Sequence, residues 1–458
     1  MFPPHCGGAG WSAYYLAQAL RDRGHTVAVV RPRFDPAARQ VRVHRVEYEG
    51  LPVAELVVPA PRNPLWRLLT RNVLAPRLLR RLVEQEAHRL EADLIHAQHA
   101  LTVPAAVAAA ARLARHPPRR VPVVATVRDY WPLCYYSTMQ VPGDSTVGSR
   151  QYAVCSKDEG VGGQGLGVRT GDPASPNPKS KIQNPKSIEL ARALWAAQGP
   201  RMLLRLPLLP LWQAVTARRR AALRRADATI AVSRFVAAAL ARGHAVRPER
   251  LHVLPNLVDL PRIQAILATP PPWAALGLAP GQPFLLFAAG KLEPTKGAGL
   301  LPAALQAAGV GRDLPLVLPG SGPLQPWLAA QAAARDLDFR FCAWLDNADM
   351  LRLMQAATVL LFPSAWEEPL SRVLLEGCAA GACILALNTG GTADIVVDGQ
   401  NGRLVADMAA FAAALRALVA DPAERARLAA GAQATARRQF SATIVGAQVE
   451  SLYQKLLA

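Results

Sequence analysis

The sequence predicts an α/β protein of two lobes that face each other across a cleft. Three observations lead there. The chain has 458 residues, too many for one ordinary domain. Short apolar strands alternate with helices in two separate series, the pattern of parallel sheets covered on both faces. A proline-rich stretch, "TPPPWAALGLAPGQP", separates the two series.

The first series opens with "MFPPHCGGAGWSAYYLAQALRDRGHTVAVVRP", read as loop, helix, strand. Gly7 and Gly8 make the loop, and Leu16, Ala19 and Leu20 mark the buried helix face. Gly24 stops the helix, and 27–30 form a buried strand. "ADLIHAQHA" (strand), "VPAAVAAAARLARH" (helix) and "VPVVATVRDY" (strand) follow, then "ATIAVSRF" and "LHVLPNLVDL". Residues 160–187 carry Gly, Pro, Asn and Lys with almost no large apolar side chain, and contain the near-repeat 177–180 and 184–187. They read as a disordered insertion. The second series runs through "PFLLFAAGKL", "LPLVLPGSGP", "DFRFCAW", "ATVLLFPSAWEEP" and "ACILALNTGG". The expected organisation is a first domain over 1–258, a linker over 259–282, a second domain over 283–435, and a terminal helix over 436–458 that returns to the first domain.

Composition narrows the class. Lys and Arg number 52 against 33 Asp and Glu, a net charge of +19. That favours an anionic partner, although abundant Arg and Ala also follow from a GC-rich genome. The six cysteines form no C-x-x-C pair, so free thiols are expected rather than a disulfide frame or a zinc site. Nothing resembles a signal peptide, and no apolar run is long enough to span a bilayer.

The chemistry concentrates in the second series. The strand "ATVLLFPS" ends near Phe362, and a loop then carries Glu367, Glu368 and Pro369. Proline suits a first helical position. The helix is expected to run to about Ala380, with Gly381 as its stop. Its unpaired N–H groups near Leu370, Ser371, Arg372 and Val373 offer an anion site. Glu376 lies eight residues beyond Glu368, roughly 12 Å along a helix. Two carboxylates so spaced can accept hydroxyl hydrogen bonds at both ends of a ligand, with cations holding its middle. Lys291 and Lys296 in "GKLEPTKG" are the candidate cations. Gly290, Gly320 and Gly322 lie at strand-end turns where backbone could approach a ligand.

In that order, "GKLEPTKG", "PGSGP", "FPSAWEEPLSRVLLEGCAAG" and "TGGTADIVVDGQNGRLV" resemble the donor domain of the family-four retaining glycosyltransferases. "PPHCGGAGWSAYYLAQALRDRGHTVAVV", "IAVSRFV" and "VLPNLVDL" agree for the first lobe. The resemblance implies the GT-B fold, two Rossmann-like domains facing across a cleft. It also implies a retaining transfer from a nucleotide-diphosphate sugar to a glycan or lipid-linked acceptor, with UDP or GDP in the donor. Lys291 and Lys296 would hold the diphosphate, Glu376 the ribose hydroxyls, and Glu368 the transferred sugar as the catalytic residue. Backbone around 370–373 would meet sugar and phosphate. Gly7, Gly8, Arg128 and Asp129 would lie on the acceptor and phosphate side. No metal or cofactor is expected, because lysines and helix dipoles neutralise the leaving diphosphate.

Some positions depart from the family. Its first strand, before the "PPH" stretch, is missing, which would leave a gap in the sheet; the expectation is a true start further upstream. Arg128 stands where His is common, Leu370-Ser371 where Phe-Gly is common, Lys291 where Arg is common, and Asp394 where Glu is common. His96 and His99 read as cleft-lining or structural rather than metal ligands. Trp131, Tyr135 and Tyr136 read equally as core or as acceptor lining. "LWRLLTRNVLAPRLLRRL" and "RMLLRLPLLPLWQAVTARRRAALRR" are basic and amphipathic, fitting either a wet helix face or an anionic membrane surface. A cytoplasmic enzyme, peripheral on the inner membrane face, follows. A binding scaffold without turnover is the alternative. Nucleic acid is not expected as a partner, since no binding motif accompanies the charge.

Overall fold

The computed structural model describes residues 2–3, 6–115, 120–133 and 209–458. The insertion at 160–187, Cys134, Cys155, Tyr135 and Tyr136 lie outside the described residues.

In the first lobe, α1 (Gly8–Arg21) is followed by β1 (Val29–Asp35), β2 (Arg42–Tyr48) and β3 (Leu51–Pro59). Then come α2 (Pro64–Leu69), a π-turn (Thr70–Leu74), α3 (Ala75–Arg89), β4 (Ile95–Ala97), α4 (Thr102–Leu113) and β5 (Val123–Val127). The lobe continues with α5 (Leu209–Arg225), β6 (Ala228–Ala231), α6 (Arg234–Arg242) and β7 (Leu251–Val253). Its strands form two sheets, ordered β1-β3-β2 and β4-β5-β6-β7, and β1 does not bond to β4. Arg31 on β1 pairs with Glu55 of β3 at 2.7 Å and donates to the carbonyls of Phe2 and Pro3.

The expected strand at 27–30 is shifted and only partly buried, since β1 is the edge of a small sheet of its own. The β2–β3 hairpin was not anticipated, and β2 runs antiparallel in a lobe expected to be parallel. Its turn is Glu49–Gly50, both with positive φ (48° and 77°), the geometry that suits a tight hairpin. Gly8 is already helical, so the expected glycine loop is shorter than anticipated.

The second lobe contains β8 (Leu285–Leu286), β9 (Gly290–Lys291), α8 (Leu301–Ala308), β10 (Leu316–Ser321), α9 (Gln325–Ala334) and β11 (Phe339–Cys342), preceded by α7 (Leu260–Leu267). It continues through α10 (Asn347–Ala356), β12 (Val359–Phe362), α11 (Arg372–Ala380), β13 (Ile384–Leu387), β14 (Arg403–Val405), α12 (Met408–Ala420) and α13 (Pro422–Thr435). Helix α7 falls where a bare linker was expected. Asp259 caps α7 by accepting from the Arg262 N–H at 3.1 Å, and Pro-rich chain follows it. The sheet is parallel, ordered β11-β10-β8-β12-β13-β14, with β9 alongside the end of β10. This uniform direction brings the loops after β9, β10, β12 and β13 to one edge.

The last helix, α14 (Ala442–Leu457), packs on α1 of the first lobe, where Glu450 pairs with Arg23 and His25. One buried cluster crosses between the lobes, from Val127, Tyr130 and Trp131 to Phe362, Leu370 and Leu374. Trp131 is therefore core. Cys6, Cys342, Cys378 and Cys383 are free thiols. No described helix is long and apolar enough to cross a membrane.

Helix α11 reaches its place because Gly377 lets it lie against β12. A Cβ there would stand 2.7 Å from Leu360 Cδ2. Gly377→Leu is expected to overpack this contact and destabilise the fold by about 1–3 kcal/mol, read as a lowered denaturant midpoint. An unchanged midpoint would show that α11 can move without cost.

Candidate functional site

The donor-side loops are built backbone on backbone. Gly297 has φ +77°, and a Cβ on it would sit 1.8 Å from the Pro363 carbonyl oxygen. Only glycine fits there, and its presence fixes Lys296 beside the loop after β12. Gly320, φ +105°, is similarly pressed against the Gly290 carbonyl oxygen, and Gly322 against that of Leu292. The space that the missing side chains of Gly297, Gly320 and Gly322 leave is filled by neighbouring backbone, and a Cβ on Gly290 would meet the Trp344 ring at 2.9 Å. Lys291 is exposed.

Lys296 forms an ion pair with Glu368, and its ammonium lies 4.9 Å from the centroid of the Trp366 ring. Glu368 is buried, and burial pushes its carboxyl upward while Lys296 opposes the shift. The chain from Glu368 to Ser371 is not helical. Helix α11 starts at Arg372, three residues after the proline expected to open it, so the eight-residue step to Glu376 is not a simple helical rise. The reason lies in the carbonyls. Those of 367, 368 and 369 accept from Tyr130 Oη (2.8 Å), the Gly391 N–H (2.7 Å) and Ser233 Oγ (2.5 Å) respectively. Bonds made outward in this way leave no regular helical ladder. Tyr130 and Ser233 belong to the first lobe, and Arg234 adds a bridge to Asp394 at 2.7 Å.

Ser371 flanks α11 without capping it through its side chain, so the N–H groups of the first turn, from Arg372 and Val373 onward, meet no side-chain cap. Leu370 and Ser371 are buried and Val373 partly so. Arg372 bonds Glu376 Oε1 at 2.9 Å, and Asn347, the first residue of α10, donates to the same oxygen at 3.2 Å. No described residue donates to Oε2. Across the cleft, the Arg372 guanidinium lies 4.7 Å from the Tyr15 ring centroid, and its Cδ would be 3.7 Å from a Cβ on Gly8. Gly7 precedes α1 with open space where its side chain would be. The start of α1 thus faces the start of α11.

Arg128 is held by neutral partners, Gln98 and Asn256 (2.8 Å to Asn256 Oδ1), and burial lowers its pKa to about 9. Asp129 Oδ1 accepts from the Trp131 N–H at 2.9 Å, closing its own turn. His96 bonds Thr126 (2.7 Å) and Tyr453, and burial lowers its pKa to about 3. His99 lies at the start of α4, where its backbone carbonyl accepts from the Thr102 hydroxyl. Both histidines are built into the first lobe's framework. Sequence reasoning missed Asn347, Trp366, Tyr130, Ser233 and Tyr15. Ser233 alone had a local signal, since it caps α6 in "IAVSRFV".

Burial raises the Asp129 carboxyl to about 6 from an ordinary 3.8. The folded chain then holds this proton more tightly than the unfolded chain, so stability falls as pH rises through that window. Asp129→Asn, which keeps an oxygen for the Trp131 N–H, should gain roughly 1–2 kcal/mol at neutral pH, the gain fading in acid below the ordinary value. Denaturant midpoints at both pH values test this; an equal gain in acid would assign the effect to something other than the charge.

Comparison with known proteins places these features. The family description "Glycosyl transferases group 1" matches residues 274–435, and "Glycosyltransferase Family 4" matches 6–154 and 192–262. An alpha-maltose-1-phosphate synthase of Mycolicibacterium smegmatis is 31% identical over 260 residues, 52% of this chain and 66% of that protein. A glycogen synthase of Mycobacterium tuberculosis is 34% identical over 189 residues, 40% of this chain and 45% of that protein. The match thus spans about half to two thirds of these relatives' length. A crystal structure of HepE from Anabaena in complex with UDP has a TM-score of 0.61 at 20% identity, covering 98% of this chain and 96% of that one. Likeness at that identity carries the fold: GT-B, two Rossmann-like domains.

Proposed function

The chain belongs to the family-four, group 1 glycosyltransferases, and we propose that it is a retaining enzyme that moves a sugar from a nucleotide-diphosphate donor to a glycan or lipid-linked acceptor. The observation that carries this reading is the pairing of two carboxylates with two cations along one edge: Glu368 with Lys296, and Glu376 with Arg372. Glu376 Oε2 would accept ribose hydroxyls, since Oε1 is already held by Arg372 and Asn347. The diphosphate would lie over the uncapped first turn of α11, with Lys291, Lys296 and Arg372 around it. HepE was solved with UDP, which makes UDP and its sugar conjugates the first donors to try. Trp344, 73% exposed and stacked beside Gly290, offers an aromatic face for the base.

Chemistry follows from this placement. As the glycosidic bond breaks, negative charge grows on the diphosphate, and the cations with the α11 N–H groups stabilise it. The reading needs no metal or cofactor. Glu368 is tied to Lys296, which suits a role in holding the sugar and sensing charge rather than attacking carbon. The acceptor hydroxyl would approach from the first lobe, past Gly7, Gly8 and Arg128, on the face the leaving group vacates. Asp129 supports that wall through its turn. A peripheral position on an anionic, cytoplasmic membrane face would suit a lipid-linked acceptor.

Calorimetry with UDP, GDP and their sugar conjugates tests the assignment. One nucleotide should bind, and Lys296→Ala and Glu376→Ala should each weaken it about tenfold or more, near 1.4 kcal/mol. Glu368→Gln should keep nucleotide affinity and lower transfer or donor hydrolysis by about a hundredfold or more. Binding that survives both alanine changes would remove the site, and turnover unaffected by Glu368→Gln would remove its catalytic role.

A further inference from the structure

The last turns of α7, α10, α11 and α13 surround a cavity of about 250 Å³ in the second lobe. Leu260, Leu267 and Ala379 give it an apolar wall. Its polar groups are three amides, Gln264, Gln355 and Gln433, and the guanidinium of Arg437, from the π-turn Ala436–Phe440 that follows α13. Arg437 donates to Gln433 Oε1 at 3.3 Å. A Cβ on Gly381, which stops α11, would stand 2.4 Å from Gln433 Nε2, so this amide lies against the end of α11. Gln264 and Gln355 are exposed, and neither has a side-chain hydrogen-bond partner among the described residues. No carboxylate belongs to the described lining.

This composition selects a class of ligand. Each amide offers both donors and an acceptor. The carboxyl ends of α7, α10 and α11 bring partial negative charge to the cavity, which opposes a phosphate or carboxylate. Arg437 opposes a cation. A neutral molecule rich in hydroxyls, with a carbon face for the two leucines, meets both conditions, and a sugar is such a molecule. The volume lies just below the ~300 Å³ at which pockets for larger organic ligands begin, which suits one sugar ring rather than a long chain.

The same helices reach the cleft at their other parts. Helix α10 starts with Asn347, which holds Glu376 Oε1, and α11 carries Arg372 and Glu376 themselves. On α7, the Arg262 guanidinium lies 5.9 Å from the ring centroids of Trp11 and Tyr15, and Tyr15 is the ring that Arg372 faces. The cavity also adjoins both passages of chain between the lobes. These are bonded to each other, the Val258 N–H to the Phe440 carbonyl at 2.8 Å and the Ala442 N–H to the Val258 carbonyl at 3.2 Å.

We propose that this cavity binds a neutral monosaccharide or similar polyol, and that its occupation changes nucleotide affinity in the cleft through α7, α10 and α11. The binding stands apart from the donor reading; the coupling rests on it.

Saturation-transfer NMR and calorimetry on the full chain test this with glucose, galactose and mannose, and with glucose 6-phosphate and spermidine as charged comparisons. At least one neutral sugar should bind, and combined Gln264→Ala and Gln355→Ala should weaken it about fivefold or more. Glu376→Ala should leave it unchanged. Saturating sugar should shift UDP or GDP affinity about fivefold or more in the unaltered protein and not in the double variant, and the nucleotide should shift sugar affinity by the same factor. A thermal midpoint equal to the unaltered protein's shows that the double variant is folded; if it is not, Arg437→Ala carries the test. Absence of neutral-sugar binding, equal binding in the folded variant, or a preference for glucose 6-phosphate or spermidine overturns the proposal. Loss of the sugar in Glu376→Ala alone does so too, by placing it in the cleft, and an unchanged nucleotide affinity removes the coupling. Sugar binding by a protein that binds no nucleotide would overturn the donor reading and support the cavity's assignment.

Discussion

Three successive carbonyl oxygens, at 367, 368 and 369, are gripped by donors from both lobes, and the candidate site takes its shape from that grip. A non-helical stretch in a buried place must find partners for its backbone. Here it finds them in Tyr130 and Ser233 on one side and Gly391 on the other. The arrangement delays α11 until Arg372, and it puts the Glu368 side chain against Lys296. The position of that carboxylate therefore belongs to neither lobe alone. Contact between the lobes and the placing of Glu368 rest on the same bonds.

Charge at the cleft is arranged as pairs. Lys296 with Glu368, and Arg372 with Glu376, keep four partly buried charges balanced in the protein itself. Removing one member would strand the other in a poorly hydrated place, which is costly. An arriving diphosphate would exchange partners with these cations instead of meeting bare charge, so affinity would be a difference between two well-satisfied states. Arg128 differs. It is held by amides, without a carboxylate within ion-pair distance among the described residues, at the position where relatives were expected to carry His.

Much of the second lobe was legible in the sequence. Strand β12 ends at Phe362 and α11 stops at Gly381 as read, because buried β-branched and aliphatic runs and a left-handed glycine are local signals. The start of α11 was misread because proline is locally compatible with a first helical turn, while the bonds that prevent one come from residues far along the chain. Asn347 and Trp366 were invisible for the same reason: nothing in their own neighbourhoods marks the carboxylate or ammonium they approach. The glycines at 290, 320 and 322 were read as close-approach positions; a Cβ would meet neighbouring backbone at 320 and 322 and the Trp344 ring at 290, neighbours that no local pattern names. In the first lobe, β2 (RVHRVEY) has no period-two apolar pattern and little burial, so its hairpin left only the Glu-Gly turn as a clue.

Helix α14 lies on α1, where Val445, Val449 and Leu452 join Leu16 and Leu20 in one buried cluster, and Arg23 meets Glu450 across 427 positions of chain. During synthesis the first lobe would emerge with this apolar flank uncovered, and the whole second lobe would be made before the covering helix arrived. Contacts of such high sequence separation close slowly. The second lobe, whose sheet lies within 285–405, could finish first. The first lobe to leave the ribosome would then be the last to be completed, and its exposed α1 flank is where a chaperone would have most to hold.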